Sequence, residues 1–265
     1  MDKIKLGSKT AKDGFKNEKK ISKKFLNIFN DEDAKKWIKI FGISLPEIKN
    51  IHSFTLKPNI GRNDLNKIGI NEKDHEYTKT YQKTDVVVNI ETEVKSYVQN
   101  ISCKKATKAD YNQVDKRKVD RYQSMWGFND DVKYGLELFT GTSCHNKKNA
   151  RKPNRLFLDE IPEINLKEII SFFSENKKEI VKDILEGRGQ LSAHWMLVTR
   201  DVDSTTSYVL RNIDEVVQEY SAGKIELTPR NSLKIGKITM QRKGGTPDPT
   251  SLQFKFSPLE LFNRT

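Results

Sequence analysis

Two short segments hold the residue types best spaced for chemistry. The first is Thr84-Asp85 at the head of the apolar run Val86-Val87-Val88, and the second is Ile101-Ser102-Cys103-Lys104. Side chains alternate faces along a strand. With Ile101 and Cys103 turned into a core, Ser102 and Lys104 share the opposite face, and an aspartate on a neighbouring strand can lie beside Lys104. The same alternation turns Lys105 away. An aspartate that holds a divalent ion, next to a lysine near a water, is the minimum apparatus for metal-assisted phosphodiester hydrolysis. The ion polarises the phosphate and lowers the pKa of a bound water, and the lysine stabilises the developing charge. On spacing alone two solvated strand ends are the better account, since Asp and Lys flank many strands by chance.

The elements that must position these residues are legible in the pattern. Thr84–Ile90 is rich in β-branched residues and reads as a strand, Tyr97–Lys104 reads as a second, and the residues between them allow a hairpin. Asp13–Asn30 reads as a helix, with Ile21, Phe25 and Ile28 at helical spacing. Glu18 falls on that apolar stripe. A carboxylate facing a core is costly without a partner or a cation, so Glu18 either has one or lies just past the edge of the buried stripe. A further helix is expected from about Ala109, with Val119, Tyr122 and Trp126 on one face. Residues 141–154 read as a basic loop, and Leu166–Leu185 as a helix ended by Gly187-Arg188-Gly189. His194–Val202 and Ser207–Leu210 read as strands and Asn212–Tyr220 as a helix. From Lys224 short strands alternate with turns at Thr228-Pro229 and Gly244–Pro249. Interleaved strands and helices without a repeat or long linker predict one α/β domain over residues 1–265, a mixed central sheet flanked by helices.

Composition narrows the partner. The 265 residues carry 48 Lys+Arg against 36 Asp+Glu, a formal charge of +12. Residues 1–24 alone hold nine lysines against three acids. A second basic cluster runs from Lys104 to Arg121 and a third from Arg230 to Lys255. Basic clusters spread over the length suggest a folded basic surface for a polyanion, although a lysine-rich proteome also raises such counts. No apolar run is long enough to span a membrane, no secretory signal is apparent, and two cysteines make no disulfide framework. A reducing cytoplasm is therefore the expected location. Cys144-His145 has no second ligand pair at zinc spacing.

The segments LGSKTAKDGFKNEK (6–19), KTDVVV (83–88), NQVDK (112–116), YQSMWGF (122–128), LRNIDEV (210–216), SLKIGKITMQRKGG (232–245) and LQFK (252–255) add a resemblance. Together they resemble the small type II restriction endonucleases of the PD-(D/E)XK superfamily, most closely the HinP-type enzymes that cut GCGC. The resemblance implies a restriction-endonuclease-like fold and Mg²⁺-dependent cleavage of double-stranded DNA at a short palindrome, GCGC foremost, leaving 5′-phosphates. It places the metal on Asp85, Glu18 and the Cys103 carbonyl, and the catalytic lysine at Lys104. Ser102 occupies a position that is usually Glu, Asp or Gln, with glutamine in the HinP type, a departure whose neutral hydroxyl does not balance a divalent ion but can still contact a metal or a bound water. It implies DNA contacts from Tyr111 as an aromatic wedge, from Gln113, Lys116 and Arg117, and from Gln241, Arg242, Lys243, Gln253 and Lys255. A cognate DNA methyltransferase as functional partner and a monomer or homodimer follow from the same resemblance. Two rival readings are a repair or junction-resolving nuclease on this fold and a non-catalytic DNA-binding regulator in which Ser102 marks a dead site.

Overall fold

The computed structural model describes residues 3–57, 60–106, 111–244 and 249–262, without the side chains of 3–11 and of Lys67. The chain begins with α1 (Lys3–Leu26), α2 (Glu32–Ile40), β1 (Ile48–Thr55), α3 (Arg62–Lys67) and α4 (His75–Tyr81). There follow β2 (Val86–Thr92), β3 (Ser96–Ala106), β4 (Asn112–Arg117), α5 (Val119–Trp126) and α6 (Asp130–Thr140). Next come α7 (Glu163–Glu175), α8 (Lys177–Leu185), β5 (Trp195–Val202), β6 (Thr205–Asn212) and α9 (Ile213–Ser221). The last strands are β7 (Ile225–Leu227), β8 (Leu233–Ile235), β9 (Ile238–Arg242) and β10 (Leu252–Phe256). The chain divides into two compact units, Met1–Ala109 with Leu185–Val216 and Pro258–Thr265, and Asp110–Ile184 with Val217–Ser257.

The first unit is built on a five-stranded mixed sheet in the order β1-β2-β3-β5-β6. The β3–β5 pair is parallel and the others are antiparallel. Alternation gives the sheet two apolar faces. Val86, Val88, Ile90, Ile101 and Cys103 pack against Ile21 and Phe25 of α1, Ile28 in the turn that follows it, and Trp37 and Ile38 of α2. Val87 turns the other way, into a smaller cluster with Leu56, Ile60, Leu65, Ile70 and Leu191. The Phe25 ring lies 5.0 Å from Trp37 and stacks on Phe41 at 5.9 Å, which fastens α1 to α2. Asp31 caps α2 by accepting from the N–H groups of Asp33 and Ala34, and it also pairs with Lys24 of α1 at 3.0 Å.

The second unit holds an antiparallel sheet in the order β4-β10-β9-β8-β7. One face is apolar: Tyr122 stacks on Trp126 at 4.6 Å and meets Phe254 edge-on at 5.2 Å, with Phe173 edge-on to Trp126. Asn129 opens α6 by accepting from the Val132 N–H, and Gly141 closes it in the left-handed conformation.

The mixed sheet, its hairpin β2–β3 and the helix packed on it match the sequence reading. The helix expected from about Ala109 is corrected: Asn112–Arg117 is a strand, and the helix begins at Val119. Those six residues have no strong β signal of their own and are extended because β10 pairs with them. The single helix expected over Leu166–Leu185 is two, broken where Asn176 caps α7 and returns its side-chain amide to the Phe172 carbonyl. Ala109 and most of the Gly244–Pro249 turn lie outside the described residues.

The packing of α1 yields a stability test. Phe25→Ala removes a fully buried ring between two aromatic neighbours. It should cost about 3–5 kcal/mol. Phe29→Ala, at a ring that is 60% exposed, should stay within about 0.5 kcal/mol. Urea denaturation midpoints of the two variants check the contrast.

Candidate active site

The site is assembled at the point where β2 begins. Val86 faces Ile101 in the β2–β3 ladder. Asp85, one residue earlier, is tied on both sides by its backbone: its N–H donates to the Ile101 carbonyl at 2.9 Å, and its carbonyl accepts from the Leu56 N–H at 2.8 Å. The carboxylate is thereby aimed along β3. Its Oδ2 accepts from the Cys103 N–H at 2.7 Å, from Lys104 Nζ at 3.2 Å and, at a long 3.4 Å, from Ser102 Oγ. Lys104 Nζ also donates to the Cys103 carbonyl at 3.1 Å. The four residues singled out by spacing therefore meet around one carboxylate oxygen. As expected from alternation, Ile101 and Cys103 join the α1 core, and Lys105 turns away to pair with Asp201 at 2.9 Å. Ser102 is more enclosed than a solvated strand end, at 1% exposure.

A turn from the far end of the unit braces this geometry. The Lys83 and Thr84 N–H groups both donate to the Leu191 carbonyl, each at 3.2 Å, and Thr84 Oγ1 adds a bond to it at 2.8 Å. Asn100 on β3 donates its amide to the carbonyls of Gln190 at 2.9 Å and Ser192 at 3.0 Å. Both strands that bear the site are thus held by one segment, 190–192. The segment reaches them because Gly187 and Gly189 have positive φ, and a Cβ at Gly187 would collide with the Tyr81 carbonyl. In the sequence these glycines mark only a helix stop.

Glu18 completes the electrostatics. It is half-buried on α1, and its pKa is raised from 4.5 to about 7, first by burial and then by the negative charge of Asp85, with Lys104 acting in the opposite direction. The same surroundings push the buried Cys103 thiol well up, burial leading and Asp85 second. Two carboxylates share one ammonium here, so the cluster bears an unbalanced negative charge once Glu18 ionises. Among the described residues no three His, Cys, Asp or Glu side chains converge as a metal-binding group. What the site offers a divalent ion is two carboxylates and a carbonyl, an all-oxygen set that suits a hard cation whose remaining positions are filled by water and phosphate. The Lys104 ammonium already rests on two of those oxygens, Asp85 Oδ2 and the Cys103 carbonyl, which shows that they accept a cation together. The residues fit a divalent ion.

The residues expected to meet DNA fall in the second unit, and the antiparallel pairing sorts them. Lys116, Gln253 and Gln241 are directly opposite one another across β4, β10 and β9. Gln113, Lys255 and Thr239 form the next row. A bulge in the β4–β10 register between Phe254 and Lys255 brings Gln113 onto that face. Tyr111, just before β4, is 59% exposed. Lys243 lies at the end of β9, where its N–H donates to the Ser251 carbonyl at 2.8 Å.

Arg117 and Arg242 are corrections. They flank Leu252 in a row that alternation turns to the packed side. Arg117 Nε donates to Asp115 at 2.9 Å, and Tyr122 donates its hydroxyl to the same carboxylate oxygen at 2.7 Å. The Arg242 guanidinium lies 4.2 Å from the Phe157 ring and donates to the carbonyls of Phe139, at 3.1 Å, and Leu156. Burial and then the adjacent Arg155 pull its pKa down to about 10. Arg242 ties β9 to Phe139 of α6 and to Leu156, and Arg117 is engaged by Asp115 of its own strand, so neither is carried forward as a DNA contact.

Residues 73–262 match the model of the R.HinP1I restriction endonuclease family. Among solved structures the chain is similar to restriction endonuclease MspI, described in complex with its cognate DNA, with a TM-score of 0.57 and 14% identity over 95% of this chain and 88% of that one. At that identity the likeness concerns the fold. A search of curated proteins finds no match. With most of its length matched by the family and a strand-borne Asp–Lys cluster at its centre, the chain belongs to the R.HinP1I restriction endonuclease family and is a type II, site-specific deoxyribonuclease.

Proposed function

We propose that this chain hydrolyses double-stranded DNA at a short palindrome with Mg²⁺, leaving 5′-phosphates, and that GCGC is the target. The observation that carries the chemistry is the placement of Lys104 Nζ on Asp85 Oδ2 and the Cys103 carbonyl. Asp85, Glu18 and the Cys103 carbonyl would hold the ion, which when bound polarises the scissile phosphate and acidifies water. Lys104 positions the attacking water and balances charge as it develops on the phosphate. Water oxygen bonds to phosphorus, the bond from phosphorus to the 3′ oxygen breaks, and a 3′-hydroxyl and a 5′-phosphate result. Ser102 adds a neutral hydroxyl beside Asp85, so the ion would be held by two carboxylates and a carbonyl.

Recognition rests on the outer face of the second sheet. Gln113, Gln241 and Gln253 each offer a donor and an acceptor to base edges, and Lys116, Lys243 and Lys255 offer cations to phosphates or to guanine. Tyr111 stands ready to wedge at a base step. The target GCGC follows the HinP-type likeness of the segments that build this face. The whole chain acts as one restriction-endonuclease-like domain in the cytoplasm, as a monomer or homodimer beside a methyltransferase that protects the host's own sites. The MspI-like fold spans nearly all of it, and no helix among the described residues is long and apolar enough to cross a membrane.

Asp85→Asn and Lys104→Ala should each lower cleavage by about 10²–10⁴-fold while duplex binding persists. A mapped plasmid digested with Mg²⁺, with its ends sequenced, reads the activity, the site and the 5′-phosphate together. Cutting at sites without GCGC would overturn the target. Failure to cut with any divalent ion would favour the DNA-binding regulator.

Glu18 makes the metal dependence readable through pH. A carboxyl whose folded pKa lies above its unfolded value binds protons more tightly when folded, so stability falls as pH rises from about 4.5 to 7. Glu18→Gln should flatten that fall. Mg²⁺ should raise the melting temperature more at pH 8 than at pH 6 in the wild type, and this difference should shrink in Glu18→Gln. Thermal melts with and without Mg²⁺ check both.

The two faces of the second sheet separate by mutation. Lys116→Ala or Lys255→Ala should reduce the log–log salt slope of duplex binding by about 0.9 each. Arg242→Ala leaves the Phe139 and Leu156 carbonyls without their donor and should instead cost about 1–3 kcal/mol of stability with the slope unchanged. Binding titrations over a salt series and denaturation curves distinguish them.

A further inference from the structure

One side of α1 carries Lys12, Lys16, Lys19, Lys20 and Lys23, all exposed, with Lys20 at its border donating to Thr206 of β6 at 3.4 Å. At about 100° per residue they form one stripe. The stripe includes the like-charge i,i+4 pairs Lys12–Lys16, Lys16–Lys20 and Lys19–Lys23, an arrangement that weakens a helix. Several lysines on other helices sit beside a carboxylate. Lys35 pairs with Glu32 at 2.7 Å, Lys79 with Glu76 at 3.4 Å and Lys167 with Glu163 at 2.7 Å, each within one helical turn. Lys24, at the edge of the stripe, is neutralised by Asp31 and Asp33. Among the described residues Lys12, Lys16, Lys19 and Lys23 have no carboxylate partner, and Asp13 borders them without pairing. An open groove of about 580 Å³ beside the stripe is lined by Lys16, Lys19, Lys20, Lys23 and Lys24, with Asn27 and Asp31 at its end of the helix.

We propose that this stripe is a second DNA-binding surface, one that follows the phosphates of a duplex segment other than the one being cut. The charge density matches: Lys12 to Lys23 spans about 16 Å of helix, against one phosphate per about 3.4 Å of axis on each DNA strand. Direction excludes the cut segment. Glu18, which faces the Asp85 cluster, lies about 160° around α1 from Lys16 and about 140° from Lys23. A cation on the far side of the helix from the scissile phosphate stabilises no charge there. It can retain the protein on neighbouring or looped duplex, which raises the rate at which long DNA is searched. The inference rests on the nuclease reading for the identity of the polyanion.

The test compares wild type with Lys16→Gln/Lys19→Gln/Lys23→Gln, without divalent ions, on a duplex of about 30 base pairs lacking GCGC, from roughly 50 to 200 mM salt. The variant's log–log slope should be shallower by about two to three units. With Mg²⁺ both proteins should cut a GCGC duplex of about 12 base pairs, roughly one helical turn, at equal rates, and the variant should be slower on plasmid. Lys19→Gln alone should change the slope by about one unit, which gives a reading should the triple variant fold poorly. Equal slopes for all three proteins would overturn the proposal. So would loss of binding to phosphatidylserine vesicles with duplex binding unchanged, which would make the stripe a lipid surface. A shallower slope with no cutting by either protein would uphold the DNA surface and remove the nuclease reading.

Discussion

The bond from the Cys103 N–H to Asp85 Oδ2 is the constraint around which the first unit is arranged. That N–H is available because β2 begins one residue after Asp85, so β3 runs on past its partner. The bond fixes the carboxylate along β3, which brings Lys104 Nζ within reach and leaves the Cys103 carbonyl on the same side. A one-residue slip of β3 would put Lys104 on the core face and Cys103 in the site. The register is protected by what lies on either side of it. Ile101 and Cys103 are committed to the α1 core, and Asn100 is committed to the 190–192 carbonyls.

Electrostatics gives the site its demand for a cation. Asp85 is satisfied by an ammonium and an amide, whereas Glu18, half-buried beside it, is charged only at a cost. Burial and like charge act in the same direction on Glu18, and both are relieved by positive charge placed between the carboxylates. Ser102, neutral beside Asp85, adds nothing to that repulsion. The cluster is therefore a two-carboxylate site, less negative than a three-acid one. Its balance rests on Lys104 being close.

The second unit uses strand alternation to separate stability from contact. One side of its sheet presents glutamines and lysines in rows set by direct cross-strand pairing. The other side turns Arg117 and Arg242 inward, where they close hydrogen bonds to a carboxylate and to helix-end and loop carbonyls. Neighbouring residues with similar chemistry, Gln241 and Arg242, thus serve opposite purposes.

Much of this was determined by the sequence itself. The β-branched run at 84–90 and the stretch 97–104 specify strands, and strand alternation places Ser102 and Lys104 together, because side-chain direction on a strand is a local steric property. Glu18 stands out on the α1 stripe for the same kind of reason, since helical period and polarity conflict at one residue. The caps of α2 and α6, Asp31 and Asn129, were also present as local signals that the reading passed over. Other features were decided only by tertiary structure. Residues 112–117 are extended because β10, from the other end of the chain, pairs with them and supplies hydrogen bonds that their own propensities do not demand. Arg242 faces inward because the helices of its unit cover that side of the sheet, and no property of a Gln-Arg-Lys run says which side is covered. The 190–192 turn steadies Asp85 across about a hundred residues of chain, through backbone carbonyls that are identical in every residue. Periodicity is written in neighbouring side chains. Which faces are buried, and which backbones meet, depends on segments remote in sequence that must bury apolar surface together.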